Sequence, residues 1–197
     1  MTKDKNIKIL GWEGKPKSMV RYLNAGDYFA YQIGKGLYGW GQLWANGQWG
    51  WTTIFFNYFT DNPDNFDITK PEQQERLFIT TVDAYCQFQS KRQGDWRIII
   101  QVKNFDNPYK DEFVTISATR NVMNSADYSK EKEYSEAELD AISQERLGMY
   151  ERPRAYIDII ALLIHYAPEI FKPEHRPYLM ENHILEEFED QGKPAPF

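Results

Sequence analysis

The stretch LYGWGQLWANGQWGWTTIFF, residues 37–56, decides the fold, because two runs rich in aromatic and β-branched residues flank the dipeptide Asn46-Gly47. Such runs are typical of β-strands, and Asn-Gly is a strong signal for a two-residue hairpin turn, since both turn positions need positive φ. The sequence therefore predicts an antiparallel hairpin that turns at Asn46-Gly47. Four tryptophans lie within twelve residues of this stretch, and they either build a core or contact a partner.

Pairing across this turn assigns the hairpin side chains to two faces, because successive side chains of a strand point to opposite sides. One face is predicted to carry five large aromatic residues, namely Trp40, Trp44, Trp49, Trp51 and Phe55. The opposite face is predicted to carry Gly39, Gly41, Leu43, Ile54 and Phe56. With GKG (34–36) as the preceding loop, Tyr31 falls opposite Gly39 and Phe29 opposite Gly41, so that each ring covers a glycine.

Strand and helix signals divide the chain into three parts. Residues 1–24 are predicted to form a basic, mobile N-terminal arm, residues 25–125 an antiparallel β barrel or sheet, and residues 126–197 an acidic helical subdomain. Further strands are predicted at 28–33, 96–102 and 113–119, while 77–89 fits either a strand or a short helix. The predicted fold class is α+β: a small, strongly bent antiparallel sheet or barrel, SH3-like, with a helical C-terminal half packed on it.

Three helices are predicted in the C-terminal half. Ser135 and Glu138 make a capping box that opens the first, through about residue 148. The second, RAYIDIIALLIHYA (154–167), is apolar nearly all round, which is typical of a buried helix. We expect it to pack on the tryptophan face; a partly exposed tryptophan platform for a partner is the alternative. The third helix is predicted to end near Glu189.

No pattern of catalytic or metal-binding residues is present in the sequence. His165, His175 and His183 lack the spacing of helical metal ligands, and they are predicted to be one core residue and two surface residues. The lone Cys86 excludes an intrachain disulfide and fits a reducing compartment. We therefore expect no catalytic residues, no metal and no cofactor, and the chain is predicted not to be an enzyme.

The charge distribution bears on the partner. The net charge is −6, and residues 127–197 hold sixteen acids against eight bases, whereas residues 1–22 hold six bases against two acids. An acidic body argues against nucleic acid, whose phosphates need a basic surface, and it favours a basic protein partner. No signal peptide and no membrane-spanning run is visible, since the longest apolar run is IIALLI (159–164). We expect a cytoplasmic protein without membrane contact.

The segment GDYFAYQIGKGLYGWGQL (26–43) resembles the opening motif of the immunity protein 26 family of bacterial polymorphic-toxin systems. The matching residues are Gly26, Asp27, Phe29, Gly36, Tyr38, Gly39, Gly41 and Gln42. GDWRIII (94–100) is similar to the family's later Gly-x-Trp strand, so the resemblance covers roughly residues 24–102. It implies an antitoxin that binds and neutralises a cognate protein toxin without catalysis. The alternative is an aromatic-faced binding module for a peptide or single-stranded nucleic acid.

Two surfaces are predicted to contact the partner, which is expected to present a basic cleft. On the third helix, Met180, Ile184, Leu185 and Phe188 share an apolar flank by helical spacing. The acidic residues that point away from this flank, or lie at its edge, are Glu186, Glu187, Glu189 and Asp190. The second predicted surface is the tryptophan face, made of Trp40, Trp44, Trp49 and Trp51.

Overall fold

The computed structural model describes residues 6–14, 18–47, 50–90, 94–106, 113–116, 121–124, 131–133, 135–144 and 155–190. Its strands are β1 (Ile7–Ile9), β2 (Tyr28–Gly34), β3 (Leu37–Gly47), β4 (Gly50–Thr60), β5 (Arg76–Val82), β6 (Trp96–Val102), β7 (Phe113–Ile116), β8 (Asn121–Asn124) and β9 (Glu131–Glu133). Its helices are α1 (Glu136–Gln144), α2 (Tyr156–Tyr166), α3 (Arg176–Glu181) and α4 (Ile184–Asp190). Short 3₁₀ turns lie at Val20–Tyr22, Pro71–Gln74, Pro168–Ile170 and Pro173–His175, and a π-helix at Tyr85–Ser90.

The fold is α+β, as predicted, and its main element is a six-stranded antiparallel sheet in the order β1-β6-β2-β3-β4-β5. Over the described residues β1 and β5 remain edge strands, so the sheet is open and the barrel alternative is wrong. A second sheet, in the order β7-β8-β9, follows in the chain. The sequence did not predict β8 or β9, and β9 lies in the part expected to be helical.

The hairpin between β3 and β4 forms, but its register differs from the predicted one. Gly47 pairs with Gly50 and Gln42 pairs with Ile54, so β3 runs through Asn46-Gly47 instead of turning there. Positive φ occurs at Gly50 and not at Gly47. Residues 48 and 49, which include Trp49, lie outside the described residues. The predicted turn at Asn46-Gly47 is therefore wrong, because the observed register buries large rings on both faces of the sheet and this outweighs a local turn preference.

This register shift separates the aromatic residues that the sequence placed together. The pairing of Gly47 with Gly50 is displaced by four residues from the predicted one, which alone would keep every side chain on its predicted face, but a β-bulge between Leu43 and Ala45 makes the displacement three at Gln42 and Ile54. A displacement by an odd number of residues moves one strand's side chains to the other face of the sheet. Trp40 and Trp44 share one buried cluster with Ile54 and Phe56. Trp51 and Phe55 lie in the other cluster, together with Phe29, Tyr31 and Leu43.

Both faces of the sheet are covered. Helix α2 packs on the face that carries Phe29, Tyr31 and Leu43, through Ile159, Ile160 and Leu163. The expected contact between α2 and the tryptophan face holds only in part: of the described residues predicted on that face, Trp51 and Phe55 belong to the α2 cluster, whereas Trp40 and Trp44 do not. Trp40 and Trp44 are covered instead by residues of loops and of the N-terminal segment, namely Trp12, Phe66, Ile68 and Phe105.

The glycine–aromatic pairs of β2 and β3 are confirmed. Phe29 pairs with Gly41, and Tyr31 pairs with Gly39. A Cβ atom at Gly39 would fall on the ring of Tyr31, and one at Gly41 would fall on the ring of Phe29. Glycine at both positions therefore allows the rings to lie on the backbone of the neighbouring strand.

The first described residues belong to the sheet. Strand β1 lies within the predicted arm and pairs with β6. Trp12 then stacks under the guanidinium of Arg97, 4.3 Å from the ring centroid, and its carbonyl accepts a hydrogen bond from that side chain (2.9 Å). Arg97 Nη2 also donates a hydrogen bond to Asp95 Oδ2 (2.7 Å). The hydrogen bonding with Asp95 raises the pKa of Arg97. Residues 6–14 are thereby fixed against the body of the protein.

The remaining elements follow the sequence signals more closely. The ambiguous segment 77–89 contains both alternatives, because β5 is followed by the π-helix. The capping box is confirmed: Ser135 N donates to Glu138 Oε2 (2.9 Å) and Glu138 N donates to Ser135 Oγ (3.4 Å). The third predicted helix is two helices, α3 and α4, because His183 adopts a φ of 58° between them.

Replacing Gly41 by alanine tests the glycine–aromatic contact. The new Cβ would lie 2.6 Å from the carbonyl oxygen of Ile54 and against the ring of Phe29. Because neither backbone nor ring can move freely, we expect Gly41→Ala to lower the free energy of unfolding by about 1–3 kcal/mol in urea denaturation. Gly36→Asn is the control, since Gly36 has open space and a φ of 68° that asparagine tolerates. An equal loss in both variants would contradict the contact.

Candidate functional site

The described tryptophans are core residues. Trp40 is fully buried and stacks on Phe66 at 4.6 Å between ring centroids. Trp44 and Trp51 are each 4% exposed, and the indole of Trp44 donates to Gln42 Oε1 (3.2 Å). Trp12 and Trp96 are buried as well. Among the described residues no tryptophan is therefore available as a stacking platform, and Trp49 lies outside them.

The residues of the family-like motif hold the start of β2 against β3. Gly26 N donates to Leu43 O (2.7 Å), and Leu43 N donates to Asp27 O (2.9 Å). Gln42 Nε2 donates to Gly26 O (3.2 Å), while Asp27 Oδ2 accepts from Asn24 N (3.0 Å). Asp27 is fully buried, and Gln42 is 7% exposed. The motif therefore stabilises the fold, and these side chains present no surface for a partner.

Helix α4 separates apolar from acidic side chains, as helical spacing predicted. Ile184 and Leu185 are buried, whereas Glu186 and Asp190 are exposed. The side chains of Glu187, Phe188 and Glu189 lie outside the described residues. Met180, predicted on the same apolar flank, is 54% exposed because the break at His183 rotates α4 relative to α3.

More carboxylates surround α4. The exposed acidic residues between 168 and 190 are Glu169, Glu174, Glu181, Glu186 and Asp190. The exposed bases over the same described range are Lys172 and Arg176. His183 Nδ1 lies 2.9 Å from Glu186 Oε2 at the start of α4. The C-terminal helices thus present a mainly acidic surface, which we name the acidic helical surface.

A cleft of about 390 Å³ lies where the β2–β3 turn meets the segment that follows α2. The residues that line it are Lys35, Gly36, Leu37, Phe59, Thr60, Asp61, Ile170, Lys172, Glu174 and His175. No sequence pattern predicted this cleft, because the segments that form its two walls are far apart in the chain. The predicted positions of two histidines are wrong: His175 is 6% exposed, whereas His165 is exposed.

Metal and membrane sites have no candidate in the described part of the chain. No group of three or more histidine, cysteine, aspartate or glutamate side chains there could hold a metal ion. None of the described helices is long and apolar enough to cross a membrane.

No family model, curated protein or solved structure matches the chain.

The burial of Trp40 can be tested by truncation. Trp40→Ala removes the stack on Phe66 and leaves a cavity, so we expect a loss of about 3–5 kcal/mol in the free energy of unfolding. Trp40→Phe should cost less, because it keeps a ring in the site. Tyr22→Ala is the control for an exposed aromatic (54% exposed) and should change stability by at most about 0.5 kcal/mol. A Trp40→Ala variant as stable as the parent in urea denaturation would contradict the core assignment.

Proposed function

We propose that this chain is an immunity protein, similar to those of the immunity protein 26 family, that binds and neutralises a cognate bacterial toxin in the cytoplasm without catalysis. The acidic helical surface carries the proposal. It meets the toxin, and the toxin presents a basic cleft of the kind that binds nucleic acid. Sequence motifs over residues 26–43 and 94–100 support the family assignment.

The geometry of α4 makes this surface suitable for association. Buried Ile184 and Leu185 anchor the helix in the same cluster as α2 and Leu179. Glu186 and Asp190 are held in solvent on the other side of that anchor. Exposed charges on a rigid element raise the rate of encounter with an oppositely charged cleft, and they cost little in stability because they stay hydrated.

The opposite face of the sheet offers a control of equal charge. Glu72 and Glu75 are exposed on and beside the 3₁₀ turn Pro71–Gln74. This turn follows the loop whose Phe66 and Ile68 cover the cluster of Trp40, away from α2. Reversal of these two carboxylates changes the net charge as much as reversal of Glu186 and Asp190 does.

The variant Glu186→Lys with Asp190→Lys should slow association with the toxin at least about tenfold at low salt. The change should shrink as ionic strength rises, because salt screens exposed charges. Surface plasmon resonance at two ionic strengths measures this, with the product of the gene directly upstream as the binding partner. Thermal stability should change little.

The pair Glu72→Lys with Glu75→Lys should associate at close to the parent rate if the acidic helical surface meets the toxin. Equal slowing in both double variants would mean that net charge alone steers the encounter, and it would remove α4 from the interface. An upstream product that does not bind the parent protein would contradict the immunity function itself.

A further inference from the structure

The cleft beside the β2–β3 turn combines an apolar floor with a charged rim. Its floor is formed by Leu37, Phe59 and Ile170, which are all partly buried. The volume of about 390 Å³ lies within the range of small-molecule sites. Glu186 and Asp190, the two carboxylates of α4 proposed to steer the toxin, are not among its lining residues.

His175 forms one wall of the cleft, and its Nε2 atom has no hydrogen-bond partner among the described residues. Its ring packs on the backbone of Gly34, where an added Cβ would lie 2.8 Å from the His175 side chain. Its Nδ1 accepts a hydrogen bond from Lys172 N (3.2 Å). Burial holds the pKa of His175 below its ordinary value, so the neutral ring carries its proton on Nε2. Among the described residues Nε2–H has no acceptor.

The rim carries two charges of each sign. Lys35 and Lys172 supply the cations, and Asp61 and Glu174 supply the carboxylates; all four are exposed. None of the four side chains forms an ion pair with another described residue. Each charge is therefore free to pair with a ligand, and the cleft as a whole is electrically balanced.

We propose that this cleft binds a zwitterionic ligand with an apolar side chain, that is, an apolar α-amino acid or a dipeptide. The ligand carboxylate pairs with Lys35 or Lys172 and accepts from His175 Nε2–H. The ligand ammonium pairs with Asp61 or Glu174, and the apolar side chain covers Leu37, Phe59 and Ile170.

The charge balance of the rim selects this ligand class. A purely anionic ligand would place its charge beside Asp61 and Glu174, and a purely cationic ligand would place its charge beside the two lysines. A neutral apolar ligand would leave Nε2–H of His175 desolvated without an acceptor, which is costly. A zwitterionic ligand brings an opposite charge to the lysines and to the carboxylates, and its carboxylate gives Nε2–H of His175 an acceptor.

The test is a ¹H–¹⁵N NMR titration of the whole chain with L-phenylalanine and with L-leucyl-L-leucine. Saturable shifts of the amides of Gly36, Leu37 and Ile170 are expected for at least one of the two probes, and the tighter probe distinguishes amino acid from dipeptide. N-acetyl-L-phenylalanine lacks the ammonium and L-phenylalaninamide lacks the carboxylate. Each should bind at least about tenfold more weakly than L-phenylalanine, because each loses one charge contact.

Variants of the exposed rim test the lysines without disturbing the core. Lys35→Ala with Lys172→Ala should weaken binding of the tighter probe at least about tenfold, whereas Lys70→Ala with Lys103→Ala, exposed elsewhere, should leave it unchanged. The proposal is overturned by the absence of saturable shifts up to about 10 mM probe. It is also overturned if the capped probes bind as tightly as L-phenylalanine, since the cleft would then be an apolar crevice only. Neither result bears on toxin binding.

Discussion

The rings of Phe29 and Tyr31 lie directly on the backbone of Gly41 and Gly39, and this contact determines how the rest of the structure packs. Trp96 stacks on both rings, at 5.2 and 5.0 Å between centroids. Tyr156 of α2 then meets Trp96 edge-on and donates its hydroxyl to the carbonyl of Gln32. The glycines of one strand thereby set the position of a helix that is more than a hundred residues away in the chain.

The position of α2 in turn determines both candidate binding surfaces. Helix α4 packs on α2 through Ile184 and Leu185, and this anchor holds Glu186 and Asp190 in solvent. The segment after α2 carries His175 onto Gly34, which closes one wall of the cleft. A side chain at Gly34 would push this wall away from the turn. The acidic helical surface and the cleft therefore depend on the same packing of helices on the glycine-bearing face.

Part of the candidate site could be predicted from sequence, because helical spacing is a local property. The 3.6-residue period is enough to assign Ile184 and Leu185 to the core and Glu186 to solvent. The same period failed at Met180, because it assumes an unbroken helix and His183 takes a left-handed backbone conformation. His175 gave no local signal, since its burial comes from a glycine in a distant strand. The cleft could not be predicted from any one stretch of sequence, because its lining residues come from three separate segments of the chain.

The sequence by itself determined the α+β class, the presence of the β2–β3–β4 strands and the two glycine–aromatic pairs. These follow from alternation and from the size of neighbouring side chains, which act over a few residues. Only the tertiary structure decided the register of β3 on β4, and with it the faces on which Trp40, Trp44 and Trp51 lie. Asn46-Gly47 is a good local turn, but Gly47 pairs with Gly50, and a β-bulge between Leu43 and Ala45 changes the register below it. Trp51 and Phe55 thereby join the α2 cluster, while Trp40 and Trp44 are covered on the opposite face. The favourable free energy of burying large rings on both faces exceeds the preference of one dipeptide for a turn. A local sequence pattern cannot predict this outcome, because the residues that cover the rings are distant in the chain.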